Sequence, residues 1–293
     1  MSGVRQSRVV APRNVARLGP LDPRDHGWRE DLADIALAEM VAVPHYAEPL
    51  VMRVTATRIA LHAEADGPAV SELLHGERFA VLDIYAGRAW GYGLHDRYVG
   101  YLPVAALAGD APGDWRMIGP ADALVLAAPD VKAAALAVLP MGGELCVEPE
   151  DACFWRIMAG PHMGGFVHGR HLLAAGGDAT LDWVTVAGRY QGAPYRWGGR
   201  SRAGIDCSGL VQMARSIAGR PTRRDSDMQA ADAGAPVSDA GRGAIACWPG
   251  HIGILLGEGL LLHANAYWMA CVTEPLADVV ARAGAEPQLH RLP

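Results

Sequence analysis

The sequence predicts an α+β domain in its last third, preceded by two small all-β barrels, and three observations predict it. Residues 49–112 and then 113–177 consist of short alternating runs broken by Gly and Asp, for example "RFAVLDIYAGRAWGYGLHDRYVGYLP" and "ELCVEPEDACFWRIMAGPHMGGFVHGRHLL". That is the pattern of small antiparallel barrels. The endings of the two stretches correspond, since "RYVGYLPVAAL" and "GGFVHGRHLL" each read as a Gly, an apolar strand and a helical turn. After "AAGGDAT" the texture changes again, and residues 178–293 combine helical periodicity with a hairpin.

The elements follow in order. Within an N-terminal segment, 1–48, "WREDLADIALAEM" places Leu32, Ile35, Ala36 and Met40 at helical spacing, so a short helix is expected there as a packing element. In the third domain, "LDWVTVAGRYQGAPYRWGG" begins as helix and ends as a loop rich in Gly and aromatic residues. From Cys207, residues Leu210, Val211, Ala214, Ile217 and Ala218 follow helical spacing, with Gly219 and Pro221 as the stop. "HIGILLGEGLLLHANAY" reads as two strands around a Gly-Glu-Gly turn.

Composition narrows the function classes. At 293 residues, 51% hydrophobic and 20% charged, the chain is long enough for two or three domains with their own cores. A formal net charge of −6, without runs of Lys or Arg, gives no field for a nucleic acid. No uncharged run has membrane-spanning or signal-peptide length, so a membrane is not an expected partner and the chain reads as cytoplasmic. The five cysteines, Cys146, Cys153, Cys207, Cys247 and Cys271, show no framework of repeated spacings. Reduced thiols are therefore expected.

One of those thiols has a setting suited to chemistry. Cys207 stands at a helix entrance, where the dipole and unpaired backbone N–H groups favour thiolate. Asp206 is an N-cap acceptor, and Ser208 and Gly209 keep the first turn slim enough for a carbonyl to approach and use the Cys207 amide as an oxyanion donor. The hairpin puts residues 251 and 263 on one face, either nearly opposite or one diagonal apart. His251 is then a candidate base, and His263 the group that holds its tautomer, with Asn265 as an alternative third member. A zinc site built from Cys207, His251 and His263 is the competing reading, but no close ligand pair accompanies them. The other four cysteines read as core residues in strands. His62, His75, His95, His162, His168 and His171 read as surface or turn residues, and Trp90, Tyr92 and Tyr101 as barrel core and rim.

Several stretches, "YRWGG" (195–199), "DCSGLVQ" (206–212), "RDSDMQ" (224–229), "WPGHIGILLGEG" (248–259) and "LLHANAY" (261–267), together resemble the NlpC-type cysteine peptidases of bacterial cell-wall peptides. The match runs over residues 180–280. The resemblance implies a papain-like α+β domain, and the preceding modules resemble the bacterial SH3-like barrels that accompany it. It implies Cys207 as nucleophile, His251 as base, His263 as its partner, and Tyr195 beside the oxyanion. Asp206, Ser208, Asp225 and Ser226 match groove positions. In members with tandem barrels, a barrel closes the groove and helps the aspartate before the cysteine to bind a free substrate amine. Tyr98 and Glu72, with Glu77 as the lesser alternative, are the corresponding barrel positions. The implied reaction is hydrolysis of the γ-D-glutamyl to diamino acid bond of short murein peptides such as L-Ala-γ-D-Glu-diamino acid, with no metal or organic cofactor. Two rival readings remain, a non-catalytic wall-peptide binding protein and an acyltransferase or amidase. One departure stands out, because "GAIACWPGH" has Ala244 where an acidic residue, and Cys247 where an aromatic one, is usual in the family.

Overall fold

Alternating apolar and polar residues make the first half of the chain β throughout. The computed structural model describes residues 21–238 and 241–293. At its start the expected helix over Trp28–Met40 does not form. Instead β1 (Leu32–Asp34) pairs in parallel with β2 (His45–Ala47), and a 3-10 turn covers Ile35–Leu37. Leu32, Ala33 and Asp34 are buried in succession, as extended backbone between two layers allows and a one-sided helix does not. Asp34 fixes the turn by accepting from the Ala36 amide at 2.9 Å and from the Tyr92 hydroxyl at 2.6 Å. Residues 1–20 of the N-terminal segment lie outside the described residues.

The first module contains β3 (Leu50–Val54), β4 (Arg58–His62), β5 (Ala69–Leu74), β6 (Arg78–Tyr85), β7 (Arg88–Gly93), β8 (Val99–Pro103) and β9 (Leu107–Gly109). They form one sheet in the order β5-β4-β8-β7-β6-β3-β9. The second contains β10 (Trp115–Ile118), β11 (Ala123–Leu126), β12 (Ala135–Leu139), β13 (Glu144–Pro149), β14 (Phe154–Ile157), β15 (Phe166–His168) and β16 (Leu172–Leu173). Its order, β12-β11-β15-β14-β13-β10-β16, repeats the first strand for strand. A 3-10 turn, Val104–Ala106 or Gly169–His171, precedes the last strand of each. Separate apolar cores fill them, around Phe79 and Leu102 in the first and Ile118 and Val147 in the second.

The C-terminal part is α+β. It runs through α1 (Trp183–Gly188), β17 (Arg200–Ser201), β18 (Gly204–Ile205), α2 (Cys207–Ile217), α3 (Ser226–Asp232), β19 (Ile245–Trp248), β20 (His251–Gly257), β21 (Leu260–Asn265), β22 (Ala270–Pro275), α4 (Leu276–Ala283) and β23 (Gln288–His290). A five-stranded antiparallel sheet, β22-β21-β20-β19-β23, packs on the buried α2.

Both modules dock on this domain through side chains. Leu74, Met117 and Met141 enter the core that α1 and α2 share with the sheet, and Met228 of α3 enters the core of the first module. Buried polar pairs fix the register of that contact. Arg200 donates to both oxygens of Glu77 at 2.9 Å, and Gln212 donates to Asp96 at 2.8 Å. Asp96 is held well below the ordinary carboxylate range, against the cost of its burial, by His95 and Arg200. His75, expected at the surface, is 3% exposed where the modules meet, and burial pushes it down to about 4. Cys153, expected in a strand, is instead exposed in the turn before β14.

Candidate active site

The site grows from the first turn of α2. Asp206 caps the helix, accepting from the Gly209 amide at 2.7 Å through Oδ1, while Oδ2 accepts from the Gly198 amide at 2.8 Å. A β-carbon on Gly209 would collide with the Gly199 carbonyl, so only glycine lets the "WGG" loop close over the turn. The cap binds Arg224 as well: its guanidinium meets Asp206 at 3.0 and 2.6 Å, the Ser208 hydroxyl at 2.9 Å and the Ser71 hydroxyl of the first module at 3.0 Å. Arg224 is 1% exposed, so this is a fully buried bidentate ion pair.

Cys207 presents its thiol toward the backbone N–H groups of Ile252 and Ser208. The first of these lies on β20, next to His251. The register Ile254 to Leu262 places His251 one diagonal from His263, and their rings meet with His251 Nε2 2.8 Å from His263 Nδ1. His263 Nε2 lies 2.7 Å from Glu274 Oε1 and 3.0 Å from Asn265 Nδ2. Arg282 holds Glu274 at 2.6 and 3.1 Å. Tyr195 is anchored by its amide donating to the Met269 carbonyl at 2.9 Å. Burial, with Cys207 and Asp206 adding to it, pushes its phenol up to about 12, which keeps the hydroxyl a donor.

Electrostatics correct one expectation. Burial pushes the Cys207 thiol up to about 11, with the Asp206 charge adding to it, and outweighs the two N–H donors. His251 is pushed down to about 4, again by burial first, then by His263. The resting pair is therefore neutral thiol and neutral imidazole rather than a standing thiolate. Such a pair can still deliver a thiolate to a carbonyl if the imidazole takes the proton during attack.

The remaining sequence-derived positions are brought together unevenly. Tyr98, 6% exposed, donates to Asp225 Oδ2 at 2.9 Å, so a first-module side chain reaches the "RDSDMQ" stretch, and Arg24 meets the same oxygen at 2.9 Å. Ser226 starts α3, partly buried. Glu72 is 1% exposed and lies beneath Arg196, also accepting from the Arg200 amide at 3.1 Å. Glu77 is consumed by Arg200. Ala244 is fully buried beside Leu255 and Leu261, which explains the missing acid, since a carboxylate there would face apolar side chains. Sequence reasoning passed over Arg224, although it lies within "RDSDMQ", and missed Glu274 and Arg282 entirely.

An N-capped cysteine packed against a strand that carries a paired imidazole is an arrangement able to carry thiol-imidazole chemistry. Residues 192–276 match the NlpC/P60 family, and residues 61–107, within the first module, match the bacterial dipeptidyl-peptidase Sh3 domain. The chain thus carries an NlpC/P60 domain and a bacterial SH3 domain. Dipeptidyl-peptidase 6 of Lysinibacillus sphaericus is 38% identical over 87 residues, covering 28% of this chain and 31% of that protein. A probable endopeptidase of Mycobacterium tuberculosis is 38% identical over 107 residues, covering 35% of this chain and 27% of the relative. The γ-D-glutamyl-L-lysine dipeptidyl-peptidase of Bacillus subtilis is 33% identical over 96 residues, covering 28% of this chain and 31% of it. The matches thus span under a third of the length of these relatives. In fold, the chain is similar to an NlpC/P60 family protein of Bacillus cereus, with a TM-score of 0.69 over 83% of this chain and 100% of that one, at 16% identity. No described helix is long and apolar enough to cross a membrane.

Proposed function

We propose that this chain is a cysteine endopeptidase of the dipeptidyl-peptidase type, which hydrolyses the γ-D-glutamyl to diamino acid bond of murein peptides with a free N-terminal L-Ala. The observation that carries the reading is the thiol of Cys207 facing the backbone N–H of Ile252, the neighbour of His251 on β20, while the His251 ring is held by His263. His251 takes the thiol proton as sulfur attacks the γ-carbonyl, and the Tyr195 hydroxyl and Cys207 amide receive the oxyanion. The imidazolium then gives its proton to the leaving amine, and water cleaves the thioester to release the dipeptide. No metal or organic cofactor takes part.

The first module supports the preference for short free peptides. Tyr98 donates to Asp225 and Ser71 accepts from Arg224, and in this reading the two side chains close one end of the groove, a wall that a peptide still joined to glycan at its amino end would meet. Asp206, Ser208, Asp225, Ser226 and Tyr98 line that end in this reading, and Glu72 acts through the Arg196 lying on it. The second module, of identical strand order, is read as a second SH3-like barrel. If the wall selects for the amine, N-acetylated L-Ala-γ-D-Glu-diaminopimelate is cleaved at least tenfold more slowly than the free peptide. Equal rates would remove the amine-binding role of Asp206 and the barrel.

The pH profile tests the base. Because His251 is depressed to about 4, its proton-accepting form persists through the acid range, and kcat/KM falls only as the pH drops through about 4. An acid limb near 6.5, the ordinary imidazole value, would show that His251 is not the buried base described.

A further inference from the structure

The histidine pair ends in a carboxylate that the proposed mechanism does not use. We propose that Glu274 is a positioning residue for the thiol-imidazole site, which fixes the tautomers of His263 and His251 through a two-ring relay; this rests on the assignment of Cys207 and His251 above.

With both rings neutral, the contact to Glu274 selects one arrangement of protons. Glu274 Oε1 lies 2.7 Å from His263 Nε2, and an anion at that distance from a ring nitrogen requires a proton between them. With Nε2 protonated, neutral His263 offers a lone pair at Nδ1. That lone pair must accept from His251 Nε2, 2.8 Å away. His251 Nε2 is then the protonated nitrogen, and its Nδ1 is left as the lone pair of the base. Reversing either ring would place two N–H groups, or two lone pairs, against each other.

The carboxylate is built in. Its side chain is 10% exposed, and Arg282 Nη2 and Nη1 donate to Oε1 and Oε2 at 2.6 and 3.1 Å. A further hydrogen bond comes from Trp268. Arg282 in turn lies over the Tyr267 ring, 4.3 Å from its centroid. Asn265 contacts the same His263 nitrogen at 3.0 Å, but its Oδ1 accepts from the Trp268 amide at 2.9 Å, so it can turn only N–H toward the ring. It would support the opposite tautomer, in which His251 has no lone pair toward the thiol. Glu274 is closer and charged, and so decides between them.

Every charged or titratable group facing the pair enters the balance. Those acting on His251 are His263 of β21, Glu274 of β22 and Arg282 of α4, with Asp278 and Tyr267 beside Arg282; those acting on Cys207, at the α2 entrance, are Asp206 and Arg224. Of those acting on His251, Glu274 alone favours its protonation, whereas His263 and Arg282 oppose it.

The test reads the site without a peptide substrate. Alkylation of Cys207 by iodoacetamide is followed from pH 3 to 9 by mass spectrometry of the tryptic peptide carrying Cys207, in the full chain and in Glu274→Gln, Glu274→Asp and Asn265→Ala. Glu274→Gln is expected to slow alkylation on the plateau by about 10- to 100-fold, less than the ~10⁴-fold loss when a base takes the wrong tautomer outright. It should also move the acid limb to lower pH, because a charge that favoured the imidazolium is gone. Glu274→Asp should restore part of the rate and return the limb toward the wild-type position. A merely structural role would lower the plateau, or the melting temperature, without moving the limb. An unmoved limb in Glu274→Gln, or a limb moved by Asn265→Ala instead, would overturn the proposal. Absence of base-assisted alkylation at Cys207 in the wild-type chain would instead overturn the underlying assignment.

Discussion

Cys207→Ala is expected to abolish cleavage of L-Ala-γ-D-Glu-diaminopimelate, by 10⁴-fold or more, roughly the size of loss seen when a nucleophile of a triad is removed. Peptide binding should survive, because the groups proposed to line the groove are held by others. Asp206 is fixed by Arg224 and two backbone amides, and Tyr98 by Asp225. His251→Ala should cost nearly as much, since the neutral thiol, pushed up to about 11, depends on that imidazole to ionise it at neutral pH. The double variant should be little worse than either single one, because thiol and base act as a unit. Turnover measured beside calorimetric binding checks both halves. Additive losses in the double variant would mean that the two side chains do not share a proton.

Arg224→Met should destabilise the fold by roughly 3–5 kcal/mol, the cost of leaving a buried charge unpaired. In a chain of this size that appears as a fall of about ten degrees in melting temperature. Asp206 would keep its two amide donors but lose the cation that balances its charge, and Ser71 and Ser208 would lose the donor that joins them. The helix entrance and the first module are thereby uncoupled, so cleavage should fall even where the protein remains folded. Arg24→Ala is the contrast. Its guanidinium is 38% exposed and pairs with Asp22, Asp225 and Asp227 at the surface, where such contacts contribute about 1 kcal/mol or less. Equal melting shifts for the two variants would mean that burial does not set the strength of these ion pairs.

Why some of this was legible in the sequence, and some not, follows from how local each signal is. The α2 entrance could be read because an N-cap aspartate, a slim first turn and a helical stripe are all within a dozen residues. The approach of His251 to His263 could be read because a Gly-Glu-Gly turn nearly fixes the register of its hairpin. Glu274 could not, because its contact with His263 depends on the next strand, β22, whose pairing places Leu261 opposite Glu274 and Val272 opposite His263. Arg224 stands beside Asp225 in "RDSDMQ", and nothing in a sequence shows which of two adjacent charges turns inward. No helix forms over Trp28–Met40, despite the helical spacing, because Asp34 and Tyr92, far apart in sequence, hold that segment as strand and turn. His75 looked like a turn residue and is one, but a second module packs over that turn.

The central claim is that Cys207 opens one particular amide through a thioester that water then hydrolyses. Incubation of the protein with L-Ala-γ-D-Glu-diaminopimelate in H₂¹⁸O, followed by mass spectrometry of the products, tests it most directly. The expected products are free diaminopimelate without label and L-Ala-γ-D-Glu carrying one ¹⁸O in its γ-carboxyl. Release of free alanine, or an intact tripeptide that binds but is never cut, would contradict it.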